Sequence, residues 1–219
     1  MPRLLFEKTG NAIWISHLDL MRLFQRAFKR AGLPLTHTQG FNPRPSVSIA
    51  MPLSVGVESH CELLDFDLDG DSVACEDILA RLNQSLVEGV RVLHVYEKGT
   101  KIKDLSLLHC QIVMEYDSGI PENATSDLKE LFTRDSVVVP KKSKNGIQEQ
   151  DIIPLIKNME LISLGDQELM LDCIICCQNP TLNPIQIVAA VELHLPKMKP
   201  DFAKCKRIEI FDNEGNIFR

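Results

Sequence analysis

The residues best equipped for chemistry lie near the N-terminus. Ser16-His17-Leu18-Asp19 sets a hydroxyl, an imidazole and a carboxylate within four positions. Histidine titrates near neutral pH, so His17 with Asp19 could shuttle a proton or help hold a metal. The same residues also spell a helix start. Ser16 would accept an amide hydrogen bond, and Asp19 would sit against the positive end of the helix. Arg22, Arg26 and Arg30 follow at intervals of four residues, one stripe on a helix. With Lys8 and Arg44 nearby, that stripe is either a phosphate-binding or RNA-backbone surface or a solvated helix face. Beyond it runs Gln39-Gly40-Phe41-Asn42-Pro43-Arg44-Pro45, whose two prolines stiffen a loop that is costly to order unless something uses it. The alternative is a loop packed onto the body by Phe41. His17, Asp19, His37 and His60 are also the residues a metal site would draw on, although the sequence alone predicts no metal.

Cys173-Ile174-Ile175-Cys176-Cys177 has CxxC spacing, but the surrounding alternation predicts a strand. There Cys173 and Cys176 face opposite sides, so buried thiols are expected rather than a zinc site. The chain lacks a P-loop, a GxGxxG run, a Gly-x-Ser-x-Gly elbow and a CxxxCxxC iron–sulfur run.

The elements that must position these residues follow from periodicity. Leu4–Lys8 alternates as a strand, and Gly10-Asn11 marks a turn. Leu20, Phe24, Ala27, Phe28 and Ala31 recur at helical spacing, so a helix is expected from Ser16 to about Ala31, stopped by Gly32 and Pro34. Strands are expected at Ser46–Met51, Glu62–Leu68 and Val90–Tyr96, with a helix over Cys75–Val87. That order is β-α-β-β-α-β. Gly99–Asp104 reads as a boundary, after which the order roughly repeats. Strands are expected at Leu107–Tyr116, Ser136–Pro140, Glu168–Cys176 and Arg207–Phe211. Ile152–Ile162 should be extended, with a charged turn over Lys141–Asn145. Helices are expected over Ser126–Phe132 and from Asn183-Pro184 to about Leu195, with proline at the favoured first position. The fold class expected is α+β: two tandem ferredoxin-like (βαββαβ) plaits, one over 1–99 and an embellished second over 104–219.

Composition bounds the rest. The chain has 219 residues, 44% hydrophobic and 25% charged, with a net charge of −6. Bulk charge therefore does not favour a nucleic-acid partner, and no DNA is expected. The charge is unevenly placed. Residues 1–50 hold seven Lys and Arg against two acids, and residues 51–100 hold three against ten. Such a split suits an oriented docking surface or simply solvated element edges. The basic helix lacks the strand aromatics of a base-stacking RNA module. No apolar run approaches the roughly 18 residues of a membrane span, and no secretory h-region follows Met1-Pro2-Arg3. A reduced, cytoplasmic protein is the expectation, which also suits an odd cysteine number of seven.

Ile15-Ser16-His17-Leu18-Asp19-Leu20 with Arg22, Arg30-Ala31-Gly32-Leu33-Pro34, Gln39-Gly40-Phe41-Asn42-Pro43 with Pro45, and Pro52-Leu53-x-Val55-Gly56-x-Glu58-Ser59 carry a resemblance. Over about residues 3–68, and more weakly through the Asn183-Pro184 helix and the Arg207–Ile210 strand, the chain resembles the radical-SAM-linked protein family of uncharacterised domains. Members of that family occur alone or at the C-terminus of larger radical-SAM proteins with a cobalamin-binding-like segment. Their genes often neighbour those of ribonuclease G/E-type enzymes and ribosomal proteins. The resemblance implies an accessory binding module for a radical-SAM enzyme, with RNA or a ribosome-related substrate possible, no cofactor in this chain and no catalytic residue. Arg44 stands where many relatives have histidine. The surface expected to bind substrate or partner comprises Ser16, His17, Asp19, Arg22, Arg26, Arg30, Gln39, Asn42, Arg44 and Glu58. The alternative is an RNA-processing enzyme, an endoribonuclease-like tandem plait using His17 or His37 as a general base.

Overall fold

The computed structural model describes residues 1–143 and 146–219, and the chain is a mixed α+β protein built from antiparallel sheets and four helices among the described residues. It divides into two compact units. The first comprises Met1–Asp104 together with Ile217–Arg219, and the second Leu105–Asn216.

In the first unit the elements are β1 (Arg3–Lys8), α1 (His17–Arg30), β2 (Val47–Ile49), β3 (Val57–Phe66), α2 (Cys75–Ser85) and β4 (Val90–Tyr96). β1 lies between β4 and β3, and β2 pairs with the far side of β3, all antiparallel. α1 forms because Leu20, Phe24, Ala27 and Phe28 fall on one stripe and all are buried. That stripe packs on the sheet through edge-on Phe24 against Phe6, with ring centroids 4.7 Å apart, and Phe28 against Phe66 at 5.1 Å. Leu64, Ile78, Leu82 and Val92 complete this core. α1 ends in a Schellman closure. The Leu33 amide donates to the Phe28 carbonyl and the Gly32 amide to that of Lys29, with Gly32 at φ +66°, a conformation that favours glycine. The Gly10-Asn11 turn is the start of a short 3-10 helix over Gly10–Trp14. β3 begins at Val57, earlier than hydrophobic alternation alone suggests, because pairing with β1 extends it through Ser59.

The second unit contains β5 (Leu105–Glu115), α3 (Ala124–Phe132), β6 (Val138–Ser143), β7 (Gly146–Asp151), β8 (Ile156–Ser163), β9 (Glu168–Cys176), α4 (Pro184–His194) and β10 (Phe202–Asp212). β10, β5, β9 and β8 form an antiparallel sheet in that order, and β6 and β7 form a separate hairpin. β5 alternates strictly: Leu108, Cys110, Ile112 and Met114 are buried, while the residues between them are half-exposed. α4 starts with a capping box, in which Asn183 accepts from the Ile185 amide and Gln186 accepts from the Asn183 amide. Where a charged turn is expected, Lys141 is part of β6; positions 144 and 145 of that turn lie outside the described residues. The Ile152–Ile162 stretch expected to be extended opens instead with a 3-10 turn over Ile153–Leu155 and becomes a strand only at β8.

One buried charge fastens the first unit. Arg3 is 2% exposed and grips the Asp65 carboxylate with two nitrogens, at 2.5 and 2.9 Å. Its guanidinium carbon lies 5.3 Å from the centre of the Phe218 ring, and a Cβ on Gly99 would come within 2.5 Å of it. The Thr100 amide and hydroxyl both donate to the Arg219 carbonyl. Asp65→Asn leaves that guanidinium buried without its counter-charge, so urea unfolding should show a loss of about 3–5 kcal/mol. A loss below about 1 kcal/mol would show that water reaches Arg3 and that the clasp does not hold the unit.

Candidate functional site

The expected surface separates into three groups in the first unit. At the N-terminus of α1, Ser16 caps the helix: its hydroxyl oxygen accepts from the Asp19 amide at 3.2 Å and its proton goes to the Asp19 carboxylate at 2.8 Å. Arg22 pairs with the other Asp19 oxygen at 2.9 Å. The Ser16 hydrogen bond, then Arg22, hold the exposed Asp19 carboxyl below its ordinary range. His17 begins the helix, and its Nδ1 is shielded from solvent with no hydrogen-bond partner among the described residues. The 52–59 motif approaches this corner: the Gly56 amide donates to the Ile13 carbonyl at 2.9 Å, and a Cβ on Gly56 would lie 3.4 Å from the Trp14 ring. Trp14, Leu18 and Val55 remain largely exposed there.

The arginine stripe is partly used up by the protein itself. Arg22 is neutralised by Asp19, and Arg30 donates to the Ser85 carbonyl at the end of α2 at 2.5 Å. Arg26 makes no ion pair among the described residues, although its charge also reaches Asp19. A continuous phosphate-binding row is therefore not left free.

Loop 36–45 is a closed hairpin. The Thr36 amide donates to the Asp67 carbonyl, that of Ser46 to the Thr36 carbonyl, and that of Thr38 to the Arg44 carbonyl. The Arg44 amide donates to the Thr38 hydroxyl at 3.1 Å, and the Thr36 hydroxyl donates to the Asp67 carboxylate at 3.0 Å. Gln39, Asn42 and Arg44 are exposed around the tip. Phe41 does not pack onto the body: it is fully exposed. The base of the hairpin adjoins the last turns of α1, where His37 borders a cavity with Gln25 and Lys29. His17 lies at the opposite end of a helix that rises about 1.5 Å per residue, so His17 and His37 do not converge.

Glu58 belongs to a third group. His60 lies between Glu7, 3.1 Å from Nδ1, and Glu58, 3.3 Å from Nε2. Carboxylates only accept, so both contacts are hydrogen bonds only when both ring nitrogens carry protons. His17, Asp19, His37 and His60 do not gather, and the described residues hold no group of three or more His, Cys, Asp or Glu able to hold a metal.

Sequence reasoning missed two polar networks. Besides Glu7–His60–Glu58, the second unit carries His109, whose Nε2 is 2.8 Å from one Asp172 oxygen while Gln111 donates to the other at 2.8 Å. Alternation puts His109 and Gln111 on one face of β5, but only the β5–β9 register brings Asp172 to them. The CxxC residues split as expected. Cys173 is buried, and burial pushes its thiol up to about 12, whereas Cys176 is half-exposed. Burial likewise pushes Cys205 up to about 11 and Cys110 well above the ordinary range. No disulfide forms among the described residues.

Against known proteins, the family described as "Uncharacterized protein conserved in bacteria (DUF2344)" matches residues 2–184. The chain belongs to this family. No curated protein matches it. Among solved structures, the crystal structure of a Cbf5-Nop10-Gar1 complex contains a chain 8% identical to this one, superposing with a TM-score of 0.56 over 97% of this chain and 50% of that chain. The chain thus spans about half the length of that relative, and at this identity the likeness is one of fold. An unknown protein from Galdieria sulphuraria, 9% identical over 94% of this chain and 96% of that chain, superposes with a TM-score of only 0.27. No helix among the described residues is long and apolar enough to cross a membrane.

Two measurements check this geometry. Ser16→Ala should cost about 1 kcal/mol of stability and raise the Asp19 carboxyl toward its ordinary value, read by NMR titration. A folded-state carboxyl held low contributes stability above its unfolded value and loses it as pH falls through the folded one. The penalty of Ser16→Ala should therefore be full at neutral pH and shrink in acid. Alkylation at pH 8, read by peptide mass spectrometry, should modify Cys176 well before Cys110, Cys173 and Cys205. Equal labelling of all four would contradict the buried assignment.

Proposed function

We propose that this chain is an accessory binding module that docks a radical-SAM protein through the exposed side chains of its first unit, without catalysis or a cofactor of its own. The observation that carries the reading is Phe41, fully exposed on a hairpin whose base is tied by backbone hydrogen bonds. Aromatic anchors dominate binding energy at protein interfaces, and one held in water on an ordered support is ready to be covered by a partner. Arg44 is exposed on the same hairpin, and Arg is also enriched in such anchors.

The radical-SAM partner comes from the motif resemblance, and a cytoplasmic setting suits seven cysteines that form no disulfide among the described residues. The fold we infer is two tandem ferredoxin-like plaits. It is supported by the antiparallel order β4-β1-β3-β2 in the first unit and by β10-β5-β9-β8 in the second, with β6 and β7 as the embellishment. RNA is the weaker partner. Arg26, Lys29, Arg30 and Arg44 are the cations this surface leaves without an ion pair among the described residues, Arg30 being held only by the neutral Ser85 carbonyl, so single-stranded RNA bound here should show a log-log salt slope no steeper than about −3. An RNA-processing activity with His17 or His37 as base has less support, because neither has a hydrogen-bonded carboxylate to orient it among the described residues.

A photo-crosslinker introduced at position 41 in cells should capture a radical-SAM protein, identified by mass spectrometry. Binding of that purified protein should weaken about thirtyfold in Phe41→Ala. Crosslinks to RNA alone would move the reading to an RNA partner. If neither is captured, the hairpin is not a docking element.

A further inference from the structure

Where α1 ends, the first unit has a cavity of about 410 Å³. Its walls are the last turns of α1, the 33–35 segment and the base of the hairpin. Leu33, Leu35 and Pro45 supply an apolar lining, while Gln25, Lys29 and His37 stand around it. Leu33 is 1% exposed and packed in the core, so the floor of the cavity rests on it. A few hundred cubic ångströms of apolar wall with a few converging polar groups is the usual make-up of a small-molecule site.

The one charged side chain lining this site is Lys29, and the nearby Asp67 carboxylate is taken up by the Thr36 hydroxyl. A helix C-terminus ordinarily presents bare carbonyl oxygens, which repel anions. Here the Schellman closure occupies the carbonyls of Phe28 and Lys29 with the amides of Leu33 and Gly32. What remains on the rim is the exposed Lys29 ammonium, which makes no ion pair among the described residues. His37 adds a ring with no hydrogen bond among the described residues, on backbone that bridges to Pro45. Gln25 adds an amide able to donate to an oxygen ligand.

We propose that this cavity binds a small organic carboxylate, with its apolar body against Leu33, Leu35 and Pro45 and its carboxylate beside Lys29, His37 and Gln25. The proposal does not depend on a partner at Phe41, which is exposed on the hairpin and does not line the cavity. A peptide or a lipid could carry the same chemistry, but the size of the cavity favours a free molecule.

The test is a titration of the full chain with 4-phenylbutyrate and, separately, with its neutral amide, followed by backbone NMR. The carboxylate should shift the amides of Lys29, Gly32, Leu33, Leu35 and His37 saturably, and the neutral amide should bind more weakly. Lys29→Glu should weaken the carboxylate by up to about fivefold, the scale of an exposed charge interaction, and leave the neutral amide unchanged. Lys98→Glu, a surface charge reversal elsewhere in the unit, should change neither. Lys29 is exposed, so its replacement should not unfold the protein, and the retained NMR spectrum verifies this. No saturable shift, shifts scattered over the surface, equal binding of acid and neutral amide, or indifference to Lys29→Glu would each overturn the proposal. A crosslinking failure at position 41 would leave it untouched, so the two readings fail separately.

Discussion

Arg3 takes a permanent charge into a place almost without water, and the first unit is built so that the charge is never left alone. Asp65 neutralises it through two hydrogen bonds, the Phe218 ring lies over it, and Gly99 leaves no room for a side chain beside it. Burying such a charge costs several kcal/mol unless the geometry of its partner is good. The pair also sits at a fixed register: Arg3 and Asp65 are directly opposite in the β1–β3 ladder, and Ser48 of β2 faces Asp65 from the other side. A slip of one residue would separate the charges, so the ion pair and the hydrophobic pattern specify the same alignment.

That alignment carries through to the hairpin. β3 runs directly into Asp67, whose carbonyl takes the Thr36 amide and whose carboxylate takes the Thr36 hydroxyl. The hairpin is thus anchored to the end of the strand that Arg3 fixes, and its tip is free to hold Phe41 in solvent. α1 is seated independently, through Phe24 on Phe6 and Phe28 on Phe66. The rigid helix and the anchored hairpin meet at Lys29 and His37, and the cavity between them follows from how each is supported.

Electrostatics divides the surface more finely than the sequence charge does. The N-terminal fifty residues are strongly basic, yet Asp19 and the Ser85 carbonyl take up two of the three arginines in the stripe. In a stripe that the sequence left as either a phosphate row or a solvated face, one arginine pairs within the helix and another ties its end to α2. The positive charge that remains is scattered, and the exposed apolar side chains, Phe41 above all, become the more distinctive feature. An apolar contact commits water wherever it is made, whereas an isolated surface cation gains little from any one partner.

Local chemistry wrote much of the architecture directly. Helical spacing of Leu20, Phe24, Ala27 and Phe28, the cap at Ser16, the stop at Gly32 and the Asn183-Pro184 start all concern residues within a few positions of each other, so their energies are set by the sequence alone. The cysteine pattern was legible for the same reason, since strand alternation separates Cys173 from Cys176. Tertiary structure alone decided the remainder. His60 finds Glu7, and His109 finds Asp172, only through strand pairing between residues 53 and 63 positions apart. The separation of His17 from His37 depends on the length and seating of one helix. The exposure of Phe41 depends on which backbone groups close the hairpin beneath it. Such long-range geometry is chosen by the burial of the whole core and by strand register, and neither can be read from the few residues that the geometry finally places.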